Sequence, residues 1–106
     1  MMSDRDHRIL KLFADQVRQR FPEARIWAFG SRVRGNATWE SDLDVCVVVD
    51  ELTYEQRHAI WHIAWEVGFE HDVVISAVAY SRYDFECGPC SESSLVFNIL
   101  REGVSV

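Results

Sequence analysis

Residues 42–50, Asp-Leu-Asp-Val-Cys-Val-Val-Val-Asp, constrain the fold more than any other stretch of the chain. Val45 to Val49 is apolar at every position and rich in β-branched side chains, the pattern of a strand buried on both faces. Such a strand needs a cover on each side, which points to helices layered around a sheet. The same segment opens with two acids, Asp42 and Asp44. Side chains alternate faces along a strand, so these two carboxylates share a face, about 7 Å apart along the backbone.

The rest of the chain supplies the cover. Ser3 or Asp4 caps a first helix, whose apolar positions Ile9, Leu10, Phe13, Val17 and Phe21 follow helical spacing up to Pro22. Arg25–Phe29 reads as a first strand that ends at Gly30. Ser31–Asn36 reads as a helical turn, followed by a loop through Trp39 and Glu40. After the second strand, Asp42–Asp50, Thr53 and Gln56 form a capping box. The helix it opens runs to Val67 and closes at Gly68, with Ile60, Ile63, Ala64 and Val67 inward. His71–Val78 is predicted as a third strand, Ser81–Cys90 as a polar segment, and Ser91–Glu102 as a last helix with Leu95, Phe97, Ile99 and Leu100 on its apolar side. The 106 residues thus predict one α/β domain around a small sheet of about three strands, parallel or mixed.

Composition narrows the function classes. A net charge of −6 opposes a broad electrostatic grip on nucleic acid. Ten of the eleven basic residues are arginine, the side chain whose planar fork suits phosphate. No apolar run reaches the length of a membrane span, and the opening Met-Met-Ser-Asp-Arg-Asp-His has no signal-peptide layout. Three cysteines fit a reducing compartment better than a disulfide framework, so a cytoplasmic protein is expected.

Three acids, Asp42, Asp44 and Asp72, each precede an apolar β-branched run. If the second and third strands pair in register, they meet at one sheet edge. Two like charges about 4 Å apart repel by roughly 4 kcal/mol at an effective dielectric near 20, a cost that a divalent cation reverses. An oxygen-only donor set favours Mg²⁺ or Mn²⁺, and two such ions can clamp the oxygens of an in-line displacement at phosphorus. The Gly30-Ser31 turn adds a backbone that phosphate can approach and a hydroxyl that can donate to it. Arg32 and Arg34 follow, placed to neutralise a triphosphate or to serve as surface charge. No G-x-x-x-x-G-K-[ST] motif is present, so the chain is not a P-loop protein.

Gly30-Ser31, ten residues, then Asp42-x-Asp44 resembles the signature of the nucleotidyltransferases of the DNA polymerase β superfamily. The text Phe-Gly-Ser-Arg-Val-Arg-Gly-Asn-Ala, then Ser-Asp-Leu-Asp-Val, is similar to its minimal single-domain members. His71-Asp72-Val73-Val74 stands where that family has its third carboxylate, and Asn98–Gly103 resembles its C-terminal helix ending. The resemblance implies a nucleotidyltransferase fold with a small mixed sheet. It implies that Asp42, Asp44 and Asp72 hold the magnesium ions, with Asp72 taking the proton of the attacking hydroxyl. Gly30 and Ser31 would hold the β and γ phosphates. It further implies transfer of AMP from ATP to a tyrosine of a HEPN-domain toxin, for which such proteins act as antitoxins. A member that neutralises by binding alone is the alternative. The acceptor would come from a partner or another protomer.

Other features compete with this reading. Cys87-Gly-Pro-Cys90 has the form of a dithiol redox motif, without the downstream strands and proline that a thioredoxin-like fold requires. Cys46 reads as a small core residue. His58 and His62 share a helical face, but no further histidine completes a zinc site, so a solvent or interface role is expected. Trp61 and Trp65 serve either the core or a partner surface.

Overall fold

The computed structural model describes residues 2–106, the side chains of Pro89 and Cys90 excepted. In chain order the elements are α1 (Asp4–Arg20), β1 (Arg25–Phe29), α2 (Ser31–Arg34), β2 (Leu43–Val49), α3 (Tyr54–Glu70), β3 (Ile75–Ser81), α4 (Arg82–Glu86), a 3₁₀ turn (Pro89–Glu92), α5 (Ser94–Glu102) and β4 (Val104–Ser105). The sheet is mixed, in the order β3-β2-β1-β4, with β2 and β3 parallel and the other neighbours antiparallel. It therefore has four strands where the sequence predicts about three.

The double-sided strand is where the pattern puts it. Leu43, Val45, Val47 and Val49 pack under α1 and α3 with Phe13, Val17, Ile60 and Val67. Cys46 and Val48 face the other way, against Phe85, Val96 and Ile99. All five residues from Val45 to Val49 are buried, and burying a side chain of this size contributes about 1.5–3 kcal/mol. Both long helices start as predicted. Ser3 accepts from the Asp6 amide at 3.1 Å. Thr53 and Gln56 close the reciprocal box, at 3.2 Å and 3.1 Å.

The structure departs from the sequence reading at several boundaries. α3 continues past Gly68 to Glu70, because Gly68 lies flat under β3: a Cβ there would come within 2.4 Å of the Val73 carbonyl oxygen. β3 begins at Ile75 instead of His71. Asp72 takes a φ of +55°, and the Val73 amide bonds back to the Gly68 carbonyl at 3.0 Å, so the chain is still turning there. The segment read as polar contains α4, capped by the Ser81 side chain and anchored by Phe85. α5 begins at Ser94 and buries Val96 and Ile99, leaving Phe97 and Leu100 exposed. Among the described residues no helix is long and apolar enough to cross a membrane.

Candidate functional site

β1 ends where β2 starts, since Phe29 pairs with Asp44. Gly30 comes next, at φ 82° and ψ −158°, backbone angles that are essentially closed to side chains. A Cβ at Gly30 would lie 2.3 Å from Asp44 Oδ2. The missing side chain is what lets the Asp44 carboxylate lie against the turn. α2 then closes onto Gly30, whose carbonyl accepts from the Val33 and Arg34 amides, both at 3.1 Å. Ser31 heads this turn and is half-buried.

Asp44 is half-buried and Asp42 exposed. Burial, and then the negative charge of Asp42, push the Asp44 carboxyl above the ordinary aspartate range, while Arg34 partly opposes them. A carboxyl that binds its proton more tightly in the folded chain favours folding below its unfolded pKa. That contribution is lost as pH rises through the folded value. Asp44→Asn is therefore expected to flatten the dependence of stability on pH just above the ordinary aspartate range and to raise stability at neutral pH. Urea unfolding between about pH 4 and 7 checks this. An Asp44→Asn protein less stable than wild type at neutral pH would refute it.

The two arginines have different surroundings. Arg34 is exposed, beside Asp44 in charge terms and 3.8 Å from Glu102. Arg32 is buried, and its guanidinium is committed elsewhere. It meets Asp6 Oδ1 at 2.9 Å, donates to the Ser41 carbonyl through Nε and Nη2 at 2.9 and 2.7 Å, and reaches the Trp39 carbonyl at 3.4 Å. It clamps the turn that delivers Asp42. Asp6 is the residue that sequence reasoning missed. Its place on the same stripe as Ile9, Leu10, Phe13 and Val17 was the available signal, because a charge on a buried stripe requires a partner.

The expected meeting of three carboxylates is not what the coordinates show. Asp72 is exposed and precedes β3, lining a cleft of about 730 Å³ with Trp39, Trp61, Trp65, Phe69 and Val74. α3 lies, through Ile60, Ala64 and Val67, on the sheet face opposite the one that carries Asp44. Among the described residues no three His, Cys, Asp or Glu side chains form a metal-holding group. Asp42 and Asp44 alone still suit a magnesium-type ion, which is commonly held by one or two carboxylates together with substrate phosphates. A cation would also offset the Asp42 charge that, after burial, raises the Asp44 carboxyl.

The competing motifs resolve differently. His62 pairs with Glu66 at 2.6 Å, and His58 packs between Tyr54 and Trp61. Cys46 is buried, its thiol pushed up to about 12 by desolvation. Cys87 is exposed, whereas the Cys90 side chain lies outside the described residues, and with it the dithiol reading.

The sequence profile of the nucleotidyltransferase domain family matches residues 10–106. The chain is similar to a Methanocaldococcus jannaschii protein designated as a protein adenylyltransferase, 36% identical over 59 residues. That match covers 55% of this chain and 60% of the relative. The fold is similar to that of a toxin–antitoxin crystal structure with AMP-PNP, at a TM-score of 0.59 and 19% identity over 90% of this chain and 70% of the other. It is similar too to a Shewanella oneidensis structure of a tri-AMPylated HEPN toxin in complex with an MNT antitoxin, at a TM-score of 0.58 and 17% identity over 94% and 70%. With nearly its whole length matched by the family profile, the chain belongs to the nucleotidyltransferase domain family.

Proposed function

We propose that this protein transfers AMP from ATP to a tyrosine hydroxyl of a HEPN-domain toxin and thereby acts as its antitoxin. The observation that carries the reading is the Asp44 carboxylate lying against the side-chain-free Gly30, with Asp42 beside it and a serine heading the next turn. The matched relative named for adenylylation and the structural neighbours with AMP-PNP and an AMPylated toxin support it. An exposed row along α3 (Tyr54, Trp61, Trp65 and Phe69) supports a protein partner, since apolar patches of this kind mark interaction sites.

In this reaction the hydroxyl oxygen bonds to the α-phosphorus, and the bond from that phosphorus to the β-phosphate's bridging oxygen breaks. Pyrophosphate and a proton are released. Gly30 gives the phosphates room to approach the backbone, the Ser31 hydroxyl donates to them, and Arg34 offsets their charge. Asp42 and Asp44 would hold Mg²⁺, which supplies neutralising charge to the phosphate oxygens when bound. Arg32 fixes the turn that carries Asp42.

A second reading, neutralisation by binding without turnover, is favoured by the placement of Asp72 away from the other two acids. One experiment separates them. The protein, Mg²⁺, labelled ATP and the protein encoded by the neighbouring gene are incubated together, with wild type compared against Asp42→Asn plus Asp44→Asn. Transfer of label that falls by a factor of about 100 or more in the variant is expected. Neutralisation that survives the double substitution would instead establish binding alone.

A further inference from the structure

We infer that Ser76, and not Asp72, is the third protein group at the cation seat, so that the site offers two carboxylates and a hydroxyl. The inference rests on the nucleotidyltransferase reading and changes what the site requires of its ion. In the parallel pairing of β2 with β3, Asp44 stands directly opposite Ser76. Paired residues on neighbouring strands are about 4.8 Å apart and point to the same face. Face by face the assignment is consistent. Ile75, Ala77 and Ala79 pack into the core beneath α1 and α3, as do Leu43, Val45 and Val47. Val78 and Tyr80 pack with Cys46 and Val48 on the opposite face, which is therefore the face of Asp44 and Ser76. Ser76 is half-buried there.

Asp72 has lost that alternation. Its φ of +55° and the Val73-to-Gly68 hydrogen bond turn the chain before the ladder begins, at the Leu43 amide's bond to the Val74 carbonyl. The residue ends on the wall of the α3 cleft. A site with two carboxylates carries one negative charge fewer than one with three. Its ion is then held jointly with nucleotide phosphates, as expected for a magnesium-type ion with few protein ligands. The apoprotein takes up little metal, and metal and nucleotide enter together.

The test measures Mn²⁺ uptake by electron paramagnetic resonance, with and without AMP-PNP, together with the rise in Tm on adding Mn²⁺. In wild type, Mn²⁺ is expected to bind at least about tenfold more tightly with the nucleotide than without it. Asp72→Asn is expected to leave uptake within about twofold of wild type, and Asp44→Asn to weaken it at least about tenfold. Ser76→Asp adds a charge beside Asp44 and is expected to tighten Mn²⁺ binding without nucleotide by about tenfold or more, with a larger metal-dependent Tm rise than wild type. The Tm comparison covers a variant weakened by its extra charge. Asp72→Asn losing metal as Asp44→Asn does, or Ser76→Asp changing neither readout, overturns the inference while Mn²⁺ uptake by wild type with nucleotide preserves the functional reading. No Mn²⁺ uptake by wild type even with nucleotide overturns both.

Discussion

Arg32→Ala is expected to destabilise the fold by about 3–5 kcal/mol, a large part of the roughly 5–15 kcal/mol available to a small domain. The midpoint of urea unfolding should fall sharply with little change in slope. The size follows from what the substitution leaves behind. Asp6 and Arg32 have side chains only 6% and 9% exposed and meet at 2.9 Å, so removing the guanidinium strands a buried carboxylate. The Ser41 carbonyl loses both of its donors from this side chain at the same time. Arg32→Lys keeps a charge but not the fork that spans Asp6 and Ser41, and should recover only part of the loss. Asp6→Leu combined with Arg32→Met removes both charges and should be more stable than Arg32→Ala alone. A cost below about 1 kcal/mol for Arg32→Ala would mean a solvated pair and no clamp on the turn.

Much of this arrangement could be read from residue pattern. Five apolar positions in a row announce the central strand, and the two capped helices that cover one side carry local signatures at their N-termini. The Gly30-Ser31 turn and the Asp42–Asp44 alternation depend on residues adjacent in sequence, and the structure keeps them together. Asp72 shows where pattern fails. It precedes Val73-Val74-Ile75 as Asp44 precedes Val45-Cys46-Val47, but its backbone angle is set by the return from α3, a tertiary constraint. β4 spans two residues, too few for any periodicity, and forms because Gly103 returns the chain to β1. The apolar side read for α5 holds in part: Ile99 is buried with Leu95 packed beside it, but Val96 takes the other inward position, and Phe97 and Leu100 are exposed. The ion pair between Asp6 and Arg32 joins residues 26 apart, a distance no local rule spans.

Gly30→Ala is expected to remove the proposed nucleotide transfer while leaving most of the molecule folded. Two separate effects meet at this position. At φ 82° and ψ −158° an alanine is strained by about 1–3 kcal/mol, whatever space surrounds it. Its Cβ would also lie 2.3 Å from Asp44 Oδ2, well inside contact distance, so either the carboxylate or the turn must move. A displacement near 1 Å in a site that positions phosphates costs roughly a hundredfold in rate. The expected outcome is a loss of about 1–3 kcal/mol in urea unfolding with transfer reduced by about two orders of magnitude. Gly35→Ala is the control: Gly35 also has a positive φ, 83°, but at ψ 11° in the αL region, and it closes the far end of α2 away from Asp44. It should cost similar stability and much less activity. Equal activity losses at the two glycines would show that α2 matters only as a folded turn, whereas a loss confined to Gly30 would locate the effect at the contact with Asp44.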